Sequence, residues 1–253
     1  MEHSAHVDVL ATTNAVPEFG DAGAHFGPEQ RVIDPVGIER GQAGRQHEGG
    51  APERVSARPR RVLIIVENLP APFDRRVWQE ARTLTAAGYR VSIICPKAKG
   101  YDQSFEEIDG IAIYRHRLPL EASGCIGYLA EYGWALFSQF YLSIRVLLER
   151  GFDVIHACNP PDNIFIIGRL YKLLGKKFIF DHHDLGPELY EAKFQRKDAF
   201  YRLMLTLERW TFSAADVSIA TNESYRNIAI ARGKMKPERV FVVRSGPDLN
   251  RFK

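Results

Sequence analysis

The chain has 253 residues, 45% hydrophobic and 26% charged, with a formal net charge of +3. This is an ordinary globular balance that excludes collagen-like, low-complexity and wholly disordered classes. Cys95, Cys125 and Cys158 are odd in number and far apart, which excludes a disulfide framework and a CxxC metal or redox pair and fits a reducing cytosol.

Two kinds of polymer are joined in this chain. Residues 1–56 carry 9 acidic and 4 basic residues, 8 of the 20 glycines and 4 of the 8 histidines; residues 57–253 carry 22 acidic and 30 basic. The first part has a single short apolar run and reads as a disordered extension. Its start, MEHSAHVDVLATTN, lacks the basic and apolar regions of a secretory signal. The basic excess of the second part suits phosphate groups or an anionic membrane but lacks the Lys/Arg clusters of a nucleic-acid binder.

Along residues 57–253 the apolar pattern alternates between strand and helix. Arg61 to Val66 is a continuous β-branched run, as in a strand buried on both faces of a parallel sheet. Asp74 caps the following helix, in which Val77, Ala81 and Leu84 recur at helical spacing before Gly88 stops it. Val91 to Cys95 and Ile111 to Arg115 give two more strands, the latter after the turn Asp109-Gly110. Ile126 to Leu148 holds 16 apolar residues in 23 positions, interrupted by Glu131 and Arg145. It reads as a core helix with a narrow polar stripe at Glu131, Ser138 and Arg145 rather than as a membrane span.

The alternation continues with a strand at Val154 to Cys158, a helix from about Asp162 to Leu174, and a strand at Lys177 to His182. A helix around Phe200 to Phe212, a strand at Val217 to Ala220, a helix capped by Thr221 or Asn222 and a strand at Val240 to Val243 complete the series. Seven strands alternating with helices predict an α/β fold: a Rossmann-like, doubly wound, mostly parallel sheet with helices on both faces.

Such sheets bind ligands at the carboxyl ends of their strands. The first loop there, Glu67 to Arg76, has no GxGxxG, which argues against a nicotinamide or flavin cofactor. Arg75 and Arg76 open the helix that follows; they either hold a phosphate or carboxylate or are solvated first-turn residues. In the loop Asn159 to Asn163, Asp162 reads as a helix cap. In DHHDLGPE, His182 and His183 must point to opposite faces of the strand, so they do not form a metal pair. His183 and Asp184 emerge into the crevice as groups able to bond a sugar hydroxyl or phosphate, His182 reads as structural, and Glu188 as a first-turn carboxylate. Cys95 and Cys158 end apolar strands as buried thiols.

The run VLIIVENLPAPFDRRVWQEARTLTAAGYRVSIICP resembles the opening of family 4 glycosyltransferases of the GT-B fold. DVIHACNPPDN, KFIFDHHDLGPELYE, LERWTFSAADVSIATNES and RVFVVRSGPDLNRF resemble the family's successive strand-loop segments, so that the likeness covers residues 61–252. The first loop departs from many relatives in having prolines where they have a glycine pair, and Ser245 stands where Asn is common. The resemblance implies the N-terminal, acceptor-binding half of a retaining enzyme that moves a sugar from a nucleotide-sugar to a polysaccharide or lipid-linked glycan. It implies no cofactor and no metal, the nucleotide-sugar being a co-substrate.

The same resemblance implies His183 as a lining group of the transfer site, tentatively catalytic, with Arg75, Arg76, Asn159, Asp184 and Glu188 as acceptor contacts. The Glu-x7-Glu pair of the donor half has no counterpart, since no two glutamates stand eight positions apart. The expectation is therefore a domain at 57–253 without a donor domain, inactive alone: either a subunit completed by a separate donor-domain chain or a truncated remnant. The helix at Ile126 to Leu148, with Arg75, Arg76, Lys97 and Lys99, suggests peripheral contact with the inner face of a membrane.

Deleting residues 1–56 is expected to leave the thermal midpoint of the remainder nearly unchanged, because their composition cannot offset the entropy of ordering them. A calorimetric loss of many degrees would show the segment to be packed.

Overall fold

The computed structural model describes residues 59–117 and 124–246, leaving out the side chains of 124–129 and 131. The extension at 1–56, the Cys125 and Glu131 side chains and the last seven residues lie outside the described part.

Eight strands form one sheet: β1 (Arg61–Ile65), β2 (Arg90–Pro96), β3 (Phe105–Ile108), β4 (Ile111–His116), β5 (Val154–Cys158), β6 (Lys177–His182), β7 (Val217–Ala220) and β8 (Val240–Val242). Six α-helices connect them: α1 (Arg75–Ala86), α2 (Gly124–Glu149), α3 (Phe165–Leu173), α4 (Gly186–Phe194), α5 (Ala199–Ala214) and α6 (Glu223–Ala231). The strand order is β3-β4-β2-β1-β5-β6-β7-β8, and every pairing is parallel except β3 with β4. The Rossmann-like expectation holds with one strand more than the seven read from sequence. That strand, FEEI, carries two glutamates and alternates at a sheet edge, so it lacks the apolar run that marks the others. Its signal is the turn: Asp109 and Gly110 both have positive φ (53° and 75°), as a two-residue hairpin requires.

From β1 the chain winds one way through β2 to β4, then α2 carries it back across to β5 and it winds the other way to β8. The order reverses between β1 and β5, and there the loops at the strands' carboxyl ends part into a crevice. Two apolar layers result. On one face Leu63, Ile65, Ile155, Phe178 and Phe180 pack with Val146 of α2, Ile167 and Tyr171 of α3 and Phe212 of α5. On the other, Val62, Ile64, Ile93 and Ile113 pack with Val77 and Ala81 of α1. Successive strand residues serve opposite faces, so continuous apolar runs are what a sheet covered on both sides needs.

The caps follow the sequence in two places and depart from it in one. Asp74 accepts from the Val77 amide at 3.1 Å, and Asn222 from the Tyr225 amide at 3.1 Å. Asp162 caps no helix: it opens a 3₁₀ turn, Asp162–Ile164, leading into α3, and its carboxylate is buried against Asn159. The short α4, unassigned as an element from sequence, places Glu188 in its first turn as read.

The 26-residue α2 corrects the reading of a covered helix with a polar stripe. Ala135, Gln139, Leu142, Ser143 and Val146 are buried, while Trp134, Phe137, Tyr141, Ile144 and Leu148 are exposed. Of the two polar positions whose side chains are described, Ser138 is buried and Arg145 is exposed, lying over the Tyr114 ring of β4 at 5.4 Å.

Gly168 of α3 lies against the Phe178 ring of β6, and a Cβ there would fall 2.7 Å from Phe178 Cδ1. Gly168→Ala is therefore expected to destabilise the fold by about 1–3 kcal/mol through overpacking, against the gain in helix propensity that alanine brings. Urea unfolding checks the sign.

Candidate functional site at the sheet's switch point

Four segments border the crevice: Val66 to Asp74 after β1, Asn159 to Pro161 after β5, His183 to Leu185 after β6, and Val243 to Gly246 after β8. They are joined through one buried carboxylate. Asp181, fully buried near the end of β6, takes Arg76 Nη2 at 2.9 and 3.2 Å on its two oxygens, His156 Nε2 at 3.1 Å and His183 Nε2 at 2.8 Å. Burial works to raise its pKa, but the imidazoles of His183 and His156 prevail and hold the carboxyl well below its usual range.

Arg76, read from sequence as an acceptor contact, is the hub of this cluster. Its Nε approaches His183 Nε2 at 2.9 Å, its Nη1 donates to the Val243 carbonyl at 2.8 Å and Ser245 Oγ at 3.2 Å, and its Nη2 also meets Glu80 Oε1 at 3.2 Å. Its four terminal N–H groups are engaged within the protein, so Arg76 acts as a clamp between α1, β6 and the chain leaving β8. One imidazole nitrogen cannot accept from Arg76 and donate to Asp181 at once. The carboxylate is the stronger partner, so the proton resides on His183 Nε2 and points to Asp181. Burial lowers the His183 pKa and Asp181 raises it, with a net shift upward.

Asn159 is also internal. Its Oδ1 accepts from the amides of His183 (2.7 Å) and Asp184 (3.2 Å), and its Nδ2 donates to Asp162 Oδ1 (3.0 Å) and the Asp184 carbonyl (2.7 Å). With its full capacity used, it fixes the loop carrying His183 and Asp184 rather than touching a ligand. Asp184 accepts from Asn68 Nδ2 at 3.4 Å across the crevice, and burial raises its pKa. Arg75 is exposed, with no hydrogen bond or ion pair among the described residues.

The other face of β6 holds a second cluster. His182 is fully buried with Nε2 3.3 Å from Glu208 Oε1, among the rings of Phe180, Phe212 and Tyr225. Arg232 joins Glu208, at 2.6 Å, to Glu188, which it grips through both terminal nitrogens. Glu188 is thus an ion-pair partner at the end of α6, not an acceptor group facing the crevice. Burial, with Glu208 adding to it, pushes the neighbouring Asp162 up to about 7.

Sequence reasoning missed Glu80, His156, Asp181, Glu208 and Arg232. The signal was present for Asp181 and His156, polar residues inside apolar strand runs, because a charge buried on a strand must be paired. His156, Cys158 and Asp181 place three ligand-type atoms within 4.8 Å. The set does not fit a cation: Arg76 already covers both Asp181 oxygens, and burial raises the Cys158 thiol well above its usual value, keeping it protonated.

The sequence model of Glycosyltransferase Family 4 matches residues 74–251. The chain belongs to this family. Among solved structures, sucrose-phosphate synthase from Thermosynechococcus elongatus is similar at 16% identity and a TM-score of 0.54, over 76% of this chain and 49% of that one. A second, shorter chain of the same synthase matches at 15% identity and a TM-score of 0.50, over 76% of this chain and 93% of that one. The catalytic domain of starch synthase IV from Arabidopsis thaliana, bound to ADP and acarbose, matches at 12% identity and a TM-score of 0.50, over 77% of this chain and 53% of that one. At these identities the likeness is one of fold, that of one Rossmann-like half of a GT-B glycosyltransferase. The chain spans about half the length of the first of these synthase chains.

In this family 4 domain Glu80, like Asp162, has a carboxyl pushed toward neutral pH. Burial and the Asp181 charge push its carboxyl from an ordinary 4.5 up to about 7, against the pull of His156, Arg76 and His183. Between those values the unfolded chain has released a proton that the native state keeps, so stability falls as pH rises and the loss is complete above about 7. Glu80→Gln removes that penalty. Its advantage over the parent in thermal melts is expected to grow from near zero at pH about 4.5 to on the order of 3 kcal/mol at pH about 8; a pH-independent difference would contradict the assignment.

Proposed function

We propose that this domain is the acceptor-side wall of a retaining glycosyltransferase that moves a sugar from a nucleotide-sugar to a polysaccharide or lipid-linked glycan. The match to the family over residues 74–251 carries the reading, and the crevice chemistry supports it. In such a transfer the acceptor oxygen bonds to the sugar's anomeric carbon and gives up its proton, while the bond from that carbon to the nucleotide phosphate breaks and the phosphate leaves with its electron pair and takes up the proton. The reaction needs donor and acceptor held together in a water-poor cleft, because orientation and fixed dipoles supply most of the rate.

His183 suits the lining of such a cleft. Its backbone amide is fixed by Asn159 and its Nε2–H by Asp181, leaving Nδ1 as the ring atom able to bond a sugar hydroxyl. Asp184 offers a carboxylate beside it, and Arg75 an exposed guanidinium at the start of α1. These three, rather than Arg76, Asn159 or Glu188, are the proposed contacts. The second wall, with the groups that bind the donor phosphates, is supplied by a donor-side domain in the same polypeptide or in a separate chain.

Calorimetry of this chain with a panel of nucleotide-sugars is expected to show no micromolar binding, since one wall cannot position the leaving phosphate. Transfer appears when a matching donor-side domain is supplied, and His183→Ala then lowers the rate by about 10²-fold. Micromolar affinity for any nucleotide-sugar in the lone chain would place the donor site in this half and overturn the reading.

A further inference from the structure

Helix α2 buries one side on the sheet and offers the other to solvent as an apolar stripe. Trp134, Phe137, Tyr141, Ile144 and Leu148 recur at intervals of three and four, which puts them on one face, and all five are exposed. Neighbouring α3, bonded to α2 through Ser143 Oγ and Tyr171 Oη at 2.9 Å, exposes Ile166, Leu170 and Leu173 with Leu174 after them. The most exposed members are Leu148 (80%), Leu173 (84%) and Leu174 (60%), at the carboxyl ends of the two helices. Those ends adjoin: the Phe152 ring lies 5.0 Å from that of Tyr171, and the Lys177 amide bonds the Asp153 carbonyl at 3.1 Å. Scattered leucines on a surface are normal, but a stripe on two adjacent helices marks a contact surface.

Cations surround this end. Arg145, Arg150 and Lys172 are paired with Glu149, Glu107 and Asp216. Lys177 and Arg169, the latter bonded to Ser213, have no acidic partner among the described residues, and Lys176 lies over the Phe152 ring at 5.9 Å with only the more distant pull of Asp153. From this arrangement we infer that the α2–α3 face docks on an anionic lipid bilayer, its leucines and aromatics entering the interface and its lysines meeting the headgroups. The attraction of each lysine or arginine to such a surface is screened by salt, whereas the apolar side chains that leave water add binding that salt does not screen.

A second copy of the chain is the less favourable occupant. A two-fold contact sets the same patch against itself, doubling the unpaired cations while every acid nearby is already engaged. The basic set read from sequence lies elsewhere: Arg76 is sealed in the Asp181 cluster, and Lys97 and Lys99 follow β2 at the crevice edge. The inference stands on this surface alone and does not depend on the transfer reaction.

Sedimentation of the full chain with vesicles of phosphatidylcholine, and of phosphatidylcholine and phosphatidylglycerol in equal parts, tests it. Binding is expected only to the anionic vesicles and to weaken in high salt. Leu148→Glu with Leu173→Glu should weaken it at least about tenfold without moving the thermal midpoint, both side chains being exposed. Lys176→Glu with Lys177→Glu should weaken it comparably by the electrostatic route. Absence of binding, equal binding to both vesicles, or indifference to both pairs of substitutions would overturn the proposal. Self-association abolished by the leucine pair would overturn it in favour of an interface between copies.

Discussion

The ionised carboxylate of Asp181, fully buried at the end of a strand with no exposed surface of its own, sets the terms for the crevice. Removing a carboxylate from water costs several kcal/mol after relaxation, and only close, well-directed partners offset that. Here the partners come from different parts of the chain: Arg76 from α1, His156 from β5 and His183 from the end of β6. Arg76 extends the cluster to the chain leaving β8 through Val243 and Ser245. One electrostatic requirement thus aligns the loops on both sides of the switch point, and those loops are the ones a ligand would meet.

Strand alternation divides the polar residues of DHHD between two clusters that share no side chain. Asp181 and His183 belong to the crevice side with Arg76 and Glu80, and His182 to the opposite side with Glu208, Arg232 and Glu188. Each contains one carboxyl pushed to about 7, Glu80 in the first and Asp162 beside the second. In both cases burial is the first cause and a second carboxylate, Asp181 or Glu208, adds to it. Where several acids share few cations, one must hold its proton, and the one left without hydrogen-bond partners on both oxygens, Glu80, is that group in the crevice cluster.

The alternation of strands and helices was legible because a sheet covered on both faces demands apolar runs, and RVLII, VIHAC and KFIFDH supply them, the last two with the polar residues of the crevice set into them. The edge strand FEEI was not, since an edge needs no such run. In the crevice, residue types were legible but roles were not. Arg76 at the start of α1 and Asn159 in a loop look like ligand groups, yet Asn159 spends its whole hydrogen-bonding capacity, and Arg76 its terminal N–H groups, inside the protein, through pairings that include ones across more than 20 positions of sequence. For α2, composition announced burial and the fold delivered half of it: a single helix on a flat sheet can bury about one side, and the residues in excess of that side remain outside.

These pairings separate rigidity from recognition. The groups that hold the crevice, Asp181, Arg76, His156 and Asn159, are bonded to one another and to the loops they fix. The groups left with capacity, His183 Nδ1, the Asp184 carboxylate and Arg75, sit on the scaffold those bonds fix. A transferring site gains rate when its contacts are already in place before the substrate arrives, since no ordering then has to occur in the transition state. The bonded cluster accounts for why so few side chains remain free at this wall. Under the proposed function, selectivity for a particular sugar or acceptor rests on that small free set together with whatever faces it across the cleft.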